Sequence, residues 1–309
     1  MLERYEGNPI LKPKRSNSWE SQAVFNCGVV MKDGIIHMLY RAIGEYELYI
    51  SRLGYAKSED GINFVREDNP VFEPSTKYEL GGCEDPRLVL INDNVYMTYV
   101  AVKMLSRSKG MARTALATTK DFHKFKRHGI MTPSNTDDKD VVLFPDIIDD
   151  DYILLHRPNW VGSKYNTTSP SIWIAYAKNN PKRWYKDELL LHPSEWWERR
   201  KIGSGTPPIK TKYGWLTLYH GVDTDYVYRA GAMLLDINNP SKVIAKSNAP
   251  ILQPKEKYET NGDVPNVIFP TGAIILDNKL YVYYGAGDKV ICLATADLDQ
   301  FLDTLKHKI

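Results

Sequence analysis

Glu84-Asp85-Pro86-Arg87-Leu88-Val89-Leu90-Ile91-Asn92-Asp93-Asn94-Val95-Tyr96-Met97-Thr98-Tyr99-Val100-Ala101 reads as two apolar, β-branched and aromatic runs reversed by an Asn-Asp-Asn turn, the pattern of a β-hairpin. Four further stretches repeat it. Their first strands are expected to follow Asn26-Cys27-Gly28, Phe144-Pro145-Asp146, Gly205-Thr206-Pro207-Pro208 and Phe269-Pro270-Thr271-Gly272. The expected reversals are Lys32-Asp33-Gly34, Asp149-Asp150-Asp151, Lys212-Tyr213-Gly214 and Asp277-Asn278-Lys279. Prolines 86, 145, 207 and 270 recur after 59, 62 and 63 residues, a single period with loop variation.

A third run of small and apolar residues follows most hairpins, as in Arg52–Ala56, Thr114–Thr118, Ile172–Tyr176 and Ile291–Thr295. A fourth follows a turn at Ser58–Phe64 and Thr119–Phe125. Four strands repeated five times predict an all-β, five-bladed β-propeller whose central channel holds the active site, with residues 1–309 as one catalytic domain. Two stacked sandwiches would also give many short strands but do not explain five copies. Helix is expected only at Ser194–Arg200 and Leu298–Leu305.

The 309 residues are 43% hydrophobic and 25% charged, which excludes disorder and fibrous classes. Forty basic against 38 acidic residues leave +2, too little to steer the chain to nucleic acid or an anionic membrane. Cys27, Cys83 and Cys292 lie far apart and without zinc-type spacing, so no metal is expected and reduced thiols are. No signal-like or membrane-spanning run is present, and a cytoplasmic enzyme is expected. Nucleophile-elbow, zincin, Walker and complete dinucleotide-binding motifs are absent.

In a propeller the first strand of each blade lines the channel, so polar residues at equivalent places converge without being sequence neighbours. Glu84, Asp85, Arg87, Asp146 and Asp263 fall at first strands, and Arg41, His156, Arg157 and His220 fall where second strands return. Lys139 and Lys210 flank them. Tyr40, Tyr99, Tyr219, Tyr228 and Tyr284 are candidates to stack on sugar faces, and Trp196-Trp197 is read as a blade-to-loop anchor.

With these residues the chain resembles glycoside hydrolase family 130, the β-mannoside phosphorylases and related enzymes. The resemblance runs from about residue 8 to residue 296 and rests on ordered blocks. Among them are Met38–Ala42, Gly82-Cys83-Glu84-Asp85-Pro86-Arg87, Leu155-His156-Arg157-Pro158, Gly203–Thr211, Tyr219-His220-Gly221, Tyr228–Gly231 and Gly262–Val267. It implies a five-bladed propeller and inverting phosphorolysis of β-mannooligosaccharides by inorganic phosphate, giving α-mannose 1-phosphate, with no metal or organic cofactor. It further implies Asp85 as general acid, its proton passing through the mannosyl 3-hydroxyl. Arg87, Arg157, Lys210 and His220, with Arg113, Lys139 and His156, are implied as phosphate ligands. Arg52, Arg41, Glu84, Asp146, Tyr228 and Asp263 are implied as contacts to the sugar.

Phosphate arrives as an anion, so cations can stand where a hydrolase keeps its base. Two other readings stay open. One is a β-mannoside hydrolase in which Glu84 or Asp146 activates water; the other is a non-catalytic glycan- or protein-binding propeller. The linkage is open between β-1,4 and β-1,2, and a homo-oligomer is allowed, with Tyr46–Tyr49 and Trp196-Trp197 as surface candidates.

Overall fold

The computed structural model describes residues 2–106, 109–134 and 136–306. Five antiparallel units follow one another around a central channel as the blades of a five-bladed propeller. Blade 1 is Ala23–Lys32, Ile35–Ile43, Arg52–Ser58 and Val65–Arg66; blade 2 is Cys83–Ile91, Asn94–Ser106, Lys109–Thr119 and Phe125–Ile130. Blade 3 is Asp138–Leu143, Asp151–Pro158, Ile172–Lys178 and Trp184–Leu191. Blade 4 has an interrupted inner strand, Lys201–Ser204 and Ile209–Thr211, then Gly214–Val222, Tyr228–Leu235 and Val243–Lys246. Blade 5 is Ile268–Leu276, Lys279–Ala286 and Val290–Asp297, completed by Glu3–Arg4 from the other end of the chain, with Glu3 opposite Thr295.

The second strands are buried almost continuously, as at Gly214–Val222, because each sheet packs both faces against its neighbours. Among the described residues five of the six buried clusters lie at the junctions, one at each, and the sixth, Ala23, Phe25 and Ile43, lies within blade 1. Leu39 and Leu53 meet Leu88 and Met97; Val89 and Leu116 meet Leu143 and Leu154; Val142 and Leu155 meet Trp215 and Tyr219. Leu218 and Leu234 meet Val282 and Cys292, and Ile274 and Leu293 meet Val24 and Met38, which closes the ring. At the axis the strands nearly touch: a Cβ on Gly28 would lie 2.7 Å from the Pro86 carbonyl oxygen.

The blades share a second device. In blade 1 the buried Tyr40 hydroxyl donates to Glu20 at 2.8 Å, and Arg66 pairs with the same carboxylate at 3.1 Å. Tyr99–Glu79–Arg127, Tyr219–Glu198–Lys246 and Tyr284–Glu259–Arg4 repeat it in blades 2, 4 and 5. All four glutamates are fully buried, and each is satisfied by a phenol from the second strand and a base from the outermost one. Glu79, Glu198 and Glu259 also accept backbone N–H groups three and four residues upstream. These tyrosines are therefore clamps inside the blades, and of the five tyrosines expected at the sugar only Tyr228 faces the channel. In blade 3 the equivalent pair is His156 and Asp138, with Nδ1–H donating at 2.9 Å.

The inner strands contain the turn-like motifs rather than following them. Pairing slips between Phe25 and Cys27, Glu84 and Arg87, Lys139 and Val142, and Pro270 and Gly272. These are β-bulges, and they place Asn26, Asp85 and Asp140 in the left-handed region at φ of 46°, 49° and 57°. Blade 3 departs from expectation: its inner strand is Asp138–Leu143, and Phe144-Pro145-Asp146 lies beyond it toward the hairpin. Ser194–Arg200 forms turns instead of helix, although Glu198 accepts the Ser194 and Glu195 N–H groups. In blade 5, where Glu259 accepts the equivalent pair, Lys257–Thr260 forms an α-helical turn that the sequence reading did not expect. The helix Leu298–Lys306 forms as expected and buries Phe301, Leu302 and Leu305. Among the described residues no helix is long and apolar enough to cross a membrane.

Candidate active site

The bulges open one end of the channel into a pocket lined by all five blades. Its cavity volume is about 190 Å³, and it opens to solvent at the mouth. Asn26 and Arg41 come from blade 1, Glu84 and Asp85 from blade 2, and Lys139, Asp140 and Arg157 from blade 3. Blade 4 supplies Lys201, His220 and Tyr228, and blade 5 with its entering loop supplies Val264, Val267, Phe269 and Asp288. A bulge turns a side chain that would point into the sheet toward the axis, which is how Asn26, Asp85 and Asp140 reach the pocket.

One side is carboxylate-rich. Asp85 Oδ1 accepts from Asn26 Nδ2 at 3.0 Å and from Arg41 Nη1 at 3.2 Å, while Arg41 Nη2 donates to Glu84 at 2.8 Å. Arg41 is held in turn by the Ser51 hydroxyl at 2.8 Å and lies 4.7 Å over the Phe25 ring. Asp288 completes the group. Burial pushes its carboxyl up to about 7, with Asp85, Asp263 and Glu84 adding to the rise and Arg41 opposing it.

The other side is cationic. Arg157 Nε donates to Asp140 Oδ2 at 2.7 Å and Nη1 to Asn159 at 3.2 Å. Although Asp140 is buried, Arg157, His220 and Arg87 hold its carboxyl well below the usual range. Burial, then the Arg157 charge, lowers the Lys201 ammonium to about 8. His220 is pushed down to about 3 by burial, so its imidazole is neutral in the empty pocket. His220 packs between Tyr228 and Phe269, with ring centroids 5.9 and 4.6 Å away, and its Nδ1 has no hydrogen-bond partner among the described residues.

Of the residues expected at the site, the structure gathers Asp85, Arg157, Lys139, His220, Arg41, Glu84 and Tyr228 in this pocket. Arg87 lies under its floor, 2% exposed, where Nε donates across the channel to the Gly205 carbonyl and Nη1 to the Asp85 carbonyl. His156 sits behind the pocket in the core of blade 3, its ring 4.8 Å from Trp184. Arg113 is turned onto the Thr132 carbonyl. Arg52 pairs with Glu73 at 2.8 Å, outside the pocket lining. Lys210 and Asp146 pair with each other at 2.7 Å, past the bulges near the hairpin end of their strands, so neither reaches the pocket. Asp263 lines an adjoining groove instead, paired with Lys289 at 2.9 Å.

Sequence reasoning missed Asn26, Asp140, Lys201, Phe269 and Asp288 as pocket residues. Asn26 and Phe269 were in the quoted strand motifs, and aligning Lys139-Asp140 with Glu84-Asp85 would have found Asp140. Among the described residues no three His, Cys, Asp or Glu side chains are grouped to hold a metal ion.

A family profile described as beta-1,4-mannooligosaccharide phosphorylase matches residues 1–307. A 1,2-β-oligomannan phosphorylase of Thermoanaerobacter sp. (strain X514) is 43% identical, the alignment covering 96% of this chain and 97% of that one. A β-1,2-mannobiose phosphorylase of the same strain is 39% identical, over 97% and 98%. The structure of the β-1,2-mannobiose phosphorylase from Listeria innocua, in complex with β-1,2-mannobiose, superposes with a TM-score of 0.87 at 28% identity, covering 99% of both chains.

Proposed function

The chain belongs to glycoside hydrolase family 130 and is a glycoside phosphorylase of β-mannosides; from this premise we propose that it acts on β-1,2-linked mannobiose or oligomannan with inversion. The products are α-mannose 1-phosphate and an acceptor one mannose shorter. The β-1,2 linkage is favoured by the relatives at 43% and 39% identity, both named for it.

The observation that carries the reading is the division of the pocket. Lys139, Arg157, Lys201 and His220 stand on one side with Asp85 on the other. Phosphate bound among the former attacks the anomeric carbon from the face opposite the leaving oxygen. The bond from that carbon to the acceptor oxygen breaks, a carbon–oxygen bond to phosphate forms, and the proton leaves Asp85. It reaches the acceptor oxygen through the mannosyl 3-hydroxyl, and Arg41 and Asn26 keep Asp85 in place for the transfer. The cations neutralise the nucleophile's charge while it is bound and oriented.

A hydrolase would need a carboxylate base on the cation side. Asp140 is the one carboxylate lining that side among the described residues, and Arg157 and its neighbours make it too weak a base. The unpaired, buried cysteines suit a reducing, cytoplasmic setting.

The test is product analysis with β-1,2- and β-1,4-mannobiose, with and without inorganic phosphate. Mannose 1-phosphate formed only with phosphate, and mainly from the β-1,2 substrate, is expected. Free mannose formed regardless of phosphate overturns the reading.

A further inference from the structure

The Arg87 guanidinium crosses the channel under the pocket floor, from the blade that carries Asp85 to the blade that carries Lys201. We propose that Arg87 is a positioning residue for the proton transfer: it holds the Asp85 backbone in its bulge, ties that bulge to blade 4, and does not touch phosphate. The inference rests on the phosphorolysis described above, in which Asp85 is the acid.

Asp85 stands in a conformation that needs holding. Pairing jumps from Glu84 opposite Val100 to Arg87 opposite Thr98, so Asp85 and Pro86 face Tyr99 alone. Asp85 is left-handed, at a φ of 49°, which is costly for a residue with a Cβ, and Pro86 has no N–H to give to the ladder. Arg87 Nη1 supplies what the ladder does not. It donates to the Asp85 carbonyl at 2.8 Å and reaches the Pro86 carbonyl at 3.5 Å. The Asp85 carboxylate is held separately, by Asn26 and Arg41, so backbone and side chain have different holders.

The Nε edge of the same guanidinium sets the span of the channel. Nε donates to the buried Gly205 carbonyl at 2.5 Å. Gly205 is itself pinned, its N–H bonded to the Leu218 carbonyl at 2.9 Å and its Cα so close to blade 5 that a Cβ would lie 2.6 Å from the Pro270 carbonyl oxygen. It directly follows the strand Lys201–Ser204, whose first residue faces the pocket. One side chain thus fixes where the proton donor stands relative to the cations opposite. A relay through a sugar hydroxyl needs two short transfers in sequence, and a misplacement of about 1 Å is enough to cost about 100-fold in rate. Phosphate has no route to this guanidinium through the space that Arg87 lines with Asp85, Thr98 and Asp140, which is too tight for a water molecule.

The experiment is steady-state kinetics of Arg87→Met and Arg87→Lys, each alone and combined with Asp85→Asn. Arg87→Met should lower kcat on β-1,2-mannobiose about 100-fold and leave phosphate KM within about threefold. On an aryl β-mannoside, whose leaving group needs no protonation, the loss should shrink to about threefold. Added to Asp85→Asn, the same substitution should cost no more than about a further threefold, because the group it acts through is gone. Arg87→Lys keeps the charge and can reach one carbonyl, and should lose about tenfold on mannobiose. Turnover of the aryl substrate reports an intact fold, and if Arg87→Met does not fold, Arg87→Lys decides by the same comparisons. A phosphate KM raised about tenfold or more makes Arg87 a phosphate ligand and overturns the proposal. An equal loss on both substrates, or an undiminished loss on top of Asp85→Asn, overturns it as well, since each marks a general structural role. A wild-type chain that makes no mannose 1-phosphate from either mannobiose overturns the reaction itself, and the positioning role with it.

Discussion

The two sides of the pocket solve opposite electrostatic problems. On the side of blades 1, 2 and 5, three carboxyls, Glu84, Asp85 and Asp288, crowd around one guanidinium, Arg41, and the excess is relieved by a proton: Asp288 is pushed up to about 7. On the side of blades 3 and 4, Lys139, Arg157 and Lys201 crowd around one carboxylate, Asp140. There burial, with the neighbouring cations adding to it, lowers Lys201 to about 8 and His220 to about 3. The pocket thus carries unbalanced charge of both signs, one on each side. The carboxyl side is eased by holding a proton, the cation side by receiving an anion. An enzyme that donates a proton to one group and binds phosphate against it has use for both.

The largest effect should come from breaking the proton-donating side alone. Asp85→Asn keeps a side chain for Arg41 and Asn26 to hold but has no acidic proton, and should lower kcat on mannobiose about 10³-fold with little change in phosphate KM. On an aryl β-mannoside, whose leaving group needs no protonation, the loss should shrink to about tenfold. An equal loss on both substrates would falsify the acid assignment. Breaking the anion-binding side should be milder and separable. Lys201→Met removes one charged contact and should raise phosphate KM about 10- to 100-fold. The thermal midpoint should not fall, because a desolvated charge leaves a crowded site; a midpoint several degrees lower would mean that Lys201 is structural.

The same lysine gives a pH test in the wild type. Its charge is complete well below about 8 and is lost as the pH rises through that value. Phosphate KM should therefore climb several-fold between pH 7 and 9, and the climb should be absent in Lys201→Met. The smallest effect concerns Asp288. Its folded-state pKa of about 7 lies above the roughly 3.9 of an unfolded aspartate, so the folded state binds the extra proton. The resulting stability is complete below about pH 4 and is lost as the pH rises through about 7. Asp288→Asn should raise the melting temperature at pH 8 by about 2–4 °C and by less at pH 5, measured by calorimetry.

The repeat was legible because hairpin chemistry is local: Asp, Asn and Gly turns between apolar runs need no partner elsewhere. The third blade's entrance was misread for the same reason. Its bulge is made by Asp140 in a left-handed conformation with no Pro or Gly to mark it, so Pro145 drew the assignment several residues too far. Lys210 lies within the Gly203–Thr211 block but pairs with Asp146 toward the hairpin, and the lysine of this blade that lines the pocket is Lys201, which precedes the block. The clamp tyrosines look in sequence like sugar platforms, and only the buried glutamate partners in the preceding loops decide otherwise. Asp288 reads as an ordinary turn residue after Gly287, and only the fold shows it buried beside Asp85, Asp263 and Glu84.

The strand Glu3–Arg4 matters for timing as well as for architecture. It is made before blades 1 to 4, yet its partner strand Val290–Asp297 and its clamp residue Glu259 are made after them. Blades 1 to 4 have all their strands once residue 246 has been synthesised, but blade 5, which brings Phe269 and Asp288 to the pocket, waits for both ends to meet. A chain still being translated thus has no assembled active site. A chain that loses Glu3–Arg4 keeps most of its strands and loses the brace behind one wall of the pocket.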